Sequence, residues 1–127
     1  MHDKTHDKTY IIARSGTLGL RFRGRRIGEG HEGTGGTSGY SCDWDRGRIV
    51  RIYACAGAGY VLATTSWSRW QGEDGPIAAQ VCATPAALLG ALRDEDGLIG
   101  AAEMAAWEDA CDEDPALEAL RYEEMAI

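Results

Sequence analysis

The chain has 127 residues, 44% of them apolar and 26% charged, which suits one globular domain and excludes a disordered or fibrous chain. No stretch approaches the roughly 18 apolar residues of a membrane span, and Met1-His2-Asp3-Lys4-Thr5 lacks the profile of a secretory signal, so a cytoplasmic protein is expected. The net charge of −7 conceals a division: residues 1–70 carry eleven Lys/Arg against six Asp/Glu, whereas residues 71–127 carry two against fourteen, so a front half of +5 meets a back half of −12.

The opening tandem, His2-Asp3-Lys4-Thr5 then His6-Asp7-Lys8-Thr9, has no apolar anchor and reads as a flexible polar end over residues 1–9, ahead of a single domain from 10 to 127. Tyr10 to Ala13 reads as a short strand. Leu18 to Arg25 alternates, with Leu18, Leu20 and Phe22 on one face and Arg21, Arg23 and Arg25 on the other, as a half-buried strand does. Residues 28–39, GEGHEGTGGTSG, hold six glycines and almost nothing to fill a core, which predicts a loop. Tyr40 to Trp44 opens a further strand, Asp45-Arg46-Gly47 turns, and Arg48 to Cys55 is a stronger strand. Gly57-Ala58-Gly59 permits a reversal, and Tyr60 to Trp67 returns as its antiparallel partner. Gln71 to Pro76 reads as a polar turn before a last alternating strand, Ile77 to Cys82.

The chemistry then changes to helix. Thr84-Pro85 supplies an N-cap and a first-turn proline, Leu88, Leu89 and Leu92 form the buried stripe, and Gly97 is read as the stop. Ala101 to Cys111 predicts a second helix and Asp114-Pro115 starts a third carrying Leu117 and Leu120. Strands first and helices after them predict an α+β fold, with an antiparallel sheet of four to six strands (residues 10–83) packed on one face against two or three helices (residues 85–126). Cys42, Cys55, Cys82 and Cys111 form no Cys-x-x-Cys pair and read as reduced, mostly buried small side chains, although four cysteines also permit a disulfide.

No motif commits the chain to catalysis. Gly28-Glu29-Gly30-His31-Glu32-Gly33 spells G-x-G-x-x-G, but no helix signal follows it, as a dinucleotide site requires. His2 and His6 have helical ligand spacing without further ligands, so no metal and no cofactor are expected. A hydrolase-like site would have to combine His31 with Ser41, Cys42, Asp43 or Asp45. Arg21, Arg23, Arg25 and Arg26 are a candidate row of phosphate- or partner-binding cations, which makes a nucleic-acid-associated accessory role the first alternative; the acidic whole argues against it. Asp94, Glu95, Asp96, Glu103, Glu108, Asp109, Asp112, Glu113 and Glu118 are candidates for contact with a basic protein surface, with Trp67 and Trp70 as aromatic anchors. Asp112 to Asp114 also suits a helix N-terminus, where anions oppose the dipole. Opposite charges in one sequence permit self-association as well.

The hairpin from Tyr53 to Glu73, with its Gly-Tyr-Val return and Thr-Ser-Trp-x-x-Trp-Gln-Gly-Glu tail, resembles hairpins in small uncharacterised proteins carried by phages and plasmids. In size, acidity and lack of a catalytic signature the whole chain is similar to anti-CRISPR and other anti-defence inhibitors. The resemblance implies a non-catalytic, phage-encoded binding protein that occupies a basic nucleic-acid-binding surface of a host complex.

Overall fold

The computed structural model describes residues 7–34, 46–68 and 73–123, with backbone alone at 34, 46, 67–68 and 73–76. It is an α+β fold. Five strands, β1 (Lys8–Ile12), β2 (Leu20–Thr34), β3 (Arg46–Cys55), β4 (Tyr60–Ser68) and β5 (Glu73–Cys82), form one antiparallel sheet in chain order, and α1 (Pro85–Leu92), α2 (Ala101–Glu113) and α3 (Pro115–Glu118) follow. The sheet curls until its two edges meet, where the Ser15 N–H donates to the Ile77 carbonyl at 2.9 Å and the Ile77 N–H donates to Ser15 Oγ at 2.9 Å.

Alternation sorts the side chains between two faces. Val50, Ile52, Tyr60, Leu62 and Cys82 point outward from the curl and share one core with Leu88, Leu92, Trp107 and Leu117 of the helices. Tyr53, Val61 and Ala63 point into the curl and pack with Tyr10, Ile12, Leu20 and Phe22. The β3–β4 hairpin lies where the alternation and the glycines predict it; Gly59 adopts φ +91°, which a side chain would strain, while its carbonyl accepts from the Cys55 N–H at 3.0 Å.

The largest departure from the sequence reading is at Gly28 to Thr34, which is strand and not loop. Gly28 and Gly30 alternate onto the outer face of β2, opposite Ile52 and Val50. There they meet a stripe of fully buried alanines on α2, Ala102, Ala106 and Ala110, spaced one helical turn apart. A Cβ on Gly30 would sit 2.8 Å from the Ala106 backbone N, and one on Gly28 would sit 3.0 Å from the Ala110 Cβ, so glycine here is what lets the helix lie against the strand. A bulge between Arg26 and Gly28 inserts Ile27, buried under the helices. Residues 35–45, including the expected strand Tyr40 to Trp44, lie outside the described residues, as do His2 and His6.

Smaller departures have local causes. β1 starts at Lys8, inside the stretch read as a polar end, and β5 starts at Glu73 with Pro76 in it, tolerated because β5 is an edge strand. The α1 N-cap is as predicted, with Thr84 Oγ1 accepting from the Ala87 N–H at 3.1 Å, yet α1 ends at Leu92 rather than Gly97. Asp94 Oδ1 accepts from the N–H groups of Asp96 and Leu98, and this local bonding competes with helix continuation. Asp114 caps α3 by accepting from the Ala116 N–H, and its other oxygen accepts from the Tyr60 hydroxyl at 2.8 Å, which ties the third helix to the sheet. Burial and this carboxylate push the Tyr60 hydroxyl up to about 12.

Candidate functional site

The acidic residues divide between internal work and an outer surface. α2 begins at Gly100, which offers no side-chain cap, and Glu32 on β2 replaces one: its Oε1 accepts from the Ala102 N–H at 3.1 Å. The same oxygen accepts from Arg48 Nη2 at 2.7 Å, and Arg48 is held on its other side by both oxygens of Glu103. The Ala102 N–H, then Arg48, hold the Glu32 carboxyl below its ordinary value. Glu103, its side chain only 14% exposed, is thus a strut between α2 and the sheet and leaves the set of partner-facing residues. Asp94 is committed to its turn.

Glu108, Asp109, Asp112 and Glu113 fall on the solvent side of the last turns of α2. The Asp109 Oδ2 accepts from the Glu29 N–H at 3.2 Å, and Glu113 lies 3.6 Å from Arg25 with its own side chain 52% exposed. Arg121 donates to Asp112 at 3.0 Å and to Glu118 at 3.2 Å, bonds that raise its already high pKa. Asp112 remains 65% exposed. Asp112 and Glu113 therefore stand at the C-terminal end of α2, not at the start of a helix, and only Asp114 performs the capping role. Glu95 and Asp96 are exposed on the α1–α2 turn.

The four arginines do not form one row. Arg21 and Arg23 are exposed on the outer face, and Arg25 shares that face half-buried beside Glu113. Arg26, the next residue, points the other way, into the curl with Tyr53. It lies 3.2 Å from Glu29 Oε1, which also accepts from Arg51 Nε at 2.9 Å, while Glu29 Oε2 is 2.6 Å from His31 Nε2. The bond to His31, then that to Arg51, hold the Glu29 carboxyl down at about 2. Sequence reading did not single out Glu29 or Arg51; the signal for them was the i, i+2 pairing of Glu29 with His31 on a strand, hidden by reading that strand as a loop.

Beside this cluster the curl holds a half-open cavity of ≈ 260 Å³ bordered by Tyr10, Ile12, Ile49, Arg51, Tyr53 and Thr65 among others. Two of its wall residues, Tyr10 and Tyr53, form an aromatic cluster with Phe22, with ring centroids 4.7 to 5.5 Å apart.

His31 finds Glu29 as its described partner, whereas Ser41, Cys42, Asp43 and Asp45 lie outside the described residues, as does Trp70. Trp67 is in β4 opposite Gly47. Among the described residues no group of three or more His, Cys, Asp or Glu side chains could hold a metal ion, and no helix is long and apolar enough to cross a membrane. Cys55, Cys82 and Cys111 are free thiols, the last pushed up to about 11 by burial. The chain matches no protein family, no curated protein and no solved structure.

Proposed function

We propose that the chain is a non-catalytic binding protein that lays the acidic outer face of its helices on a basic protein surface. The observation that carries this reading is the placement of Glu108, Asp109, Asp112 and Glu113 on the exposed side of the C-terminal turns of α2. Asp112 and Glu113, in the last turn, add to the negative end of the helix dipole and cost roughly 0.3–1 kcal/mol each, so the helix dipole does not account for them. Arg25 and Arg121 offset part of the charge without covering Asp112 or Glu113. The resemblance to anti-CRISPR and other anti-defence inhibitors supplies the partner class: a phage-encoded protein occupying a nucleic-acid-binding groove, where a negative face competes with phosphates.

The test is a complex reconstituted from the chain and a host protein that co-purifies with it. Its affinity should fall steeply between low and moderate salt, and again when Glu108→Gln and Asp112→Asn are combined. A complex indifferent to both sinks the reading. The alternative, direct nucleic-acid contact, draws on the exposed pair Arg21 and Arg23; a gel shift by the isolated chain, abolished by Arg21→Ala with Arg23→Ala, would favour it instead.

A further inference from the structure

We propose that the cavity inside the curled sheet is a binding site for a small carboxylate with a flat apolar body. Three observations converge on this chemistry. The walls set the apolar side chains of Ile12, Ile49, Ala63 and Ile77 beside Tyr10 and Tyr53, whose ring centroids are 4.7 Å apart at a 59° tilt, so a flat ligand would add one more ring to an aromatic cluster, with the polar ends of Arg51 and Thr65 beside it. The volume, ≈ 260 Å³, lies just under the roughly 300–1,000 Å³ of drug-sized sites and suits a ligand of about one ring and a short chain.

The third observation is charge. Among the described side chains that the strands turn into the curl, Lys8, Arg26 and Arg51 are cationic and Glu29 alone is anionic. Glu29 is already shared, one oxygen with Arg26 and Arg51 and the other with His31. Arg51 reaches Glu29 through Nε and has no second acceptor among the described residues, so the outer nitrogens of its fork remain for a ligand at the cavity wall. Glu29 would orient the guanidinium, as a carboxylate behind an anion-binding arginine does, and the surplus positive charge would favour an acid over its neutral amide. This site is on the opposite side of the sheet from the acidic helices and stands or falls independently of them.

The probe is 3-phenylpropanoate, titrated into the full chain and followed by the amide resonances, with 3-phenylpropanamide as its neutral match. Saturable shifts at Ile49 to Tyr53 and Ala63 to Thr65 are expected, with at least tenfold weaker binding of the amide. Arg51→Met should erase the preference for the acid. Thr65→Phe, at a half-exposed wall position, should fill the cavity and remove binding of both while circular dichroism remains that of the parent. Three outcomes would overturn the proposal: no saturable shift at millimolar probe, equal binding of acid and amide by the parent chain, or shifts confined to the helices. The comparison of acid with amide needs no variant, so a substitution that fails to fold does not leave the question open.

Discussion

The outer and inner faces of this one sheet are built on different principles. Outside, β2 and α2 approach until backbone meets backbone, through Gly28 and Gly30 on one side and Ala102, Ala106 and Ala110 on the other, and the solvent side of that helix is acidic. Inside, the large rings of Tyr10, Phe22 and Tyr53 pack on one another beside a half-open cavity that Arg51 borders. The charge division along the chain does not map simply onto the two sides: Arg25 and Arg48 meet Glu113 and Glu103 outside, whereas Arg26 and Arg51 gather on Glu29 inside. Close packing by small residues tolerates no addition, whereas a face of rings and long side chains can take one.

The largest effect should come from the close-packed side. In Gly30→Ala the new methyl meets backbone atoms of Ala102 and Ala106, which cannot rotate away, and stability should fall by about 3 kcal/mol in a denaturant titration. A loss below about 1 kcal/mol would mean that α2 can slide on β2 and that the contrast between the faces is overstated. Next is Arg48→Met, which leaves Glu103 and Glu32 facing each other at the start of α2. The group is about a third exposed, so about 2 kcal/mol is expected rather than the 3–5 of a fully buried pair. Adding Glu103→Gln should recover part of this, and a double variant no better than the single one would show that like-charge repulsion is not the cause.

The antiparallel sheet, the central hairpin, the caps at Thr84 and Asp114 and the helix-after-sheet architecture follow from alternation and from cap-then-proline signals, all local in sequence. The lost pieces were those whose meaning is set by a partner far away in the chain. Gly28 and Gly30 look like loop glycines until Ala102, Ala106 and Ala110 are placed opposite them, and a glycine at every second position facing an alanine at every fourth is the pattern that could have paired them. Glu103 looked like one more surface acid because its partner, Arg48, lies 55 residues upstream. Arg26 looked like the fourth of a row because nothing in the composition says on which face of a strand a consecutive pair divides.

The inner face makes its own prediction through pH. Glu29 titrates at about 2 when folded and at about 4.3 in an unfolded chain, so its contribution is fully present above about pH 5 and is lost as pH falls toward 2. Glu29→Gln should therefore be less stable than the parent near neutrality, and the gap should close in acid. A gap constant from pH 6 to pH 3 would mean that His31, Arg51 and Arg26 do not hold this carboxylate in solution. Tyr60→Phe, which removes the bond to Asp114, should cost about 1 kcal/mol at neutral pH.

The smallest effect is expected where the proposed function is greatest. Glu108→Gln with Asp112→Asn removes two charges from the outer side of α2, and the amide introduced at position 112 keeps an oxygen for Arg121 to donate to. Relief of the unfavourable dipole contact and loss of a charge partner for Arg121 act in opposite directions, so stability should change by no more than about 0.5 kcal/mol. Partner affinity should nevertheless fall. That separation distinguishes a surface kept for contact from one that supports the helix, because charges that serve stability cannot be neutralised without a cost in the thermal melt. A double variant that loses stability and leaves the complex intact would assign these acids to the fold, and the basic inner face would then be the side on which to look for what this protein binds.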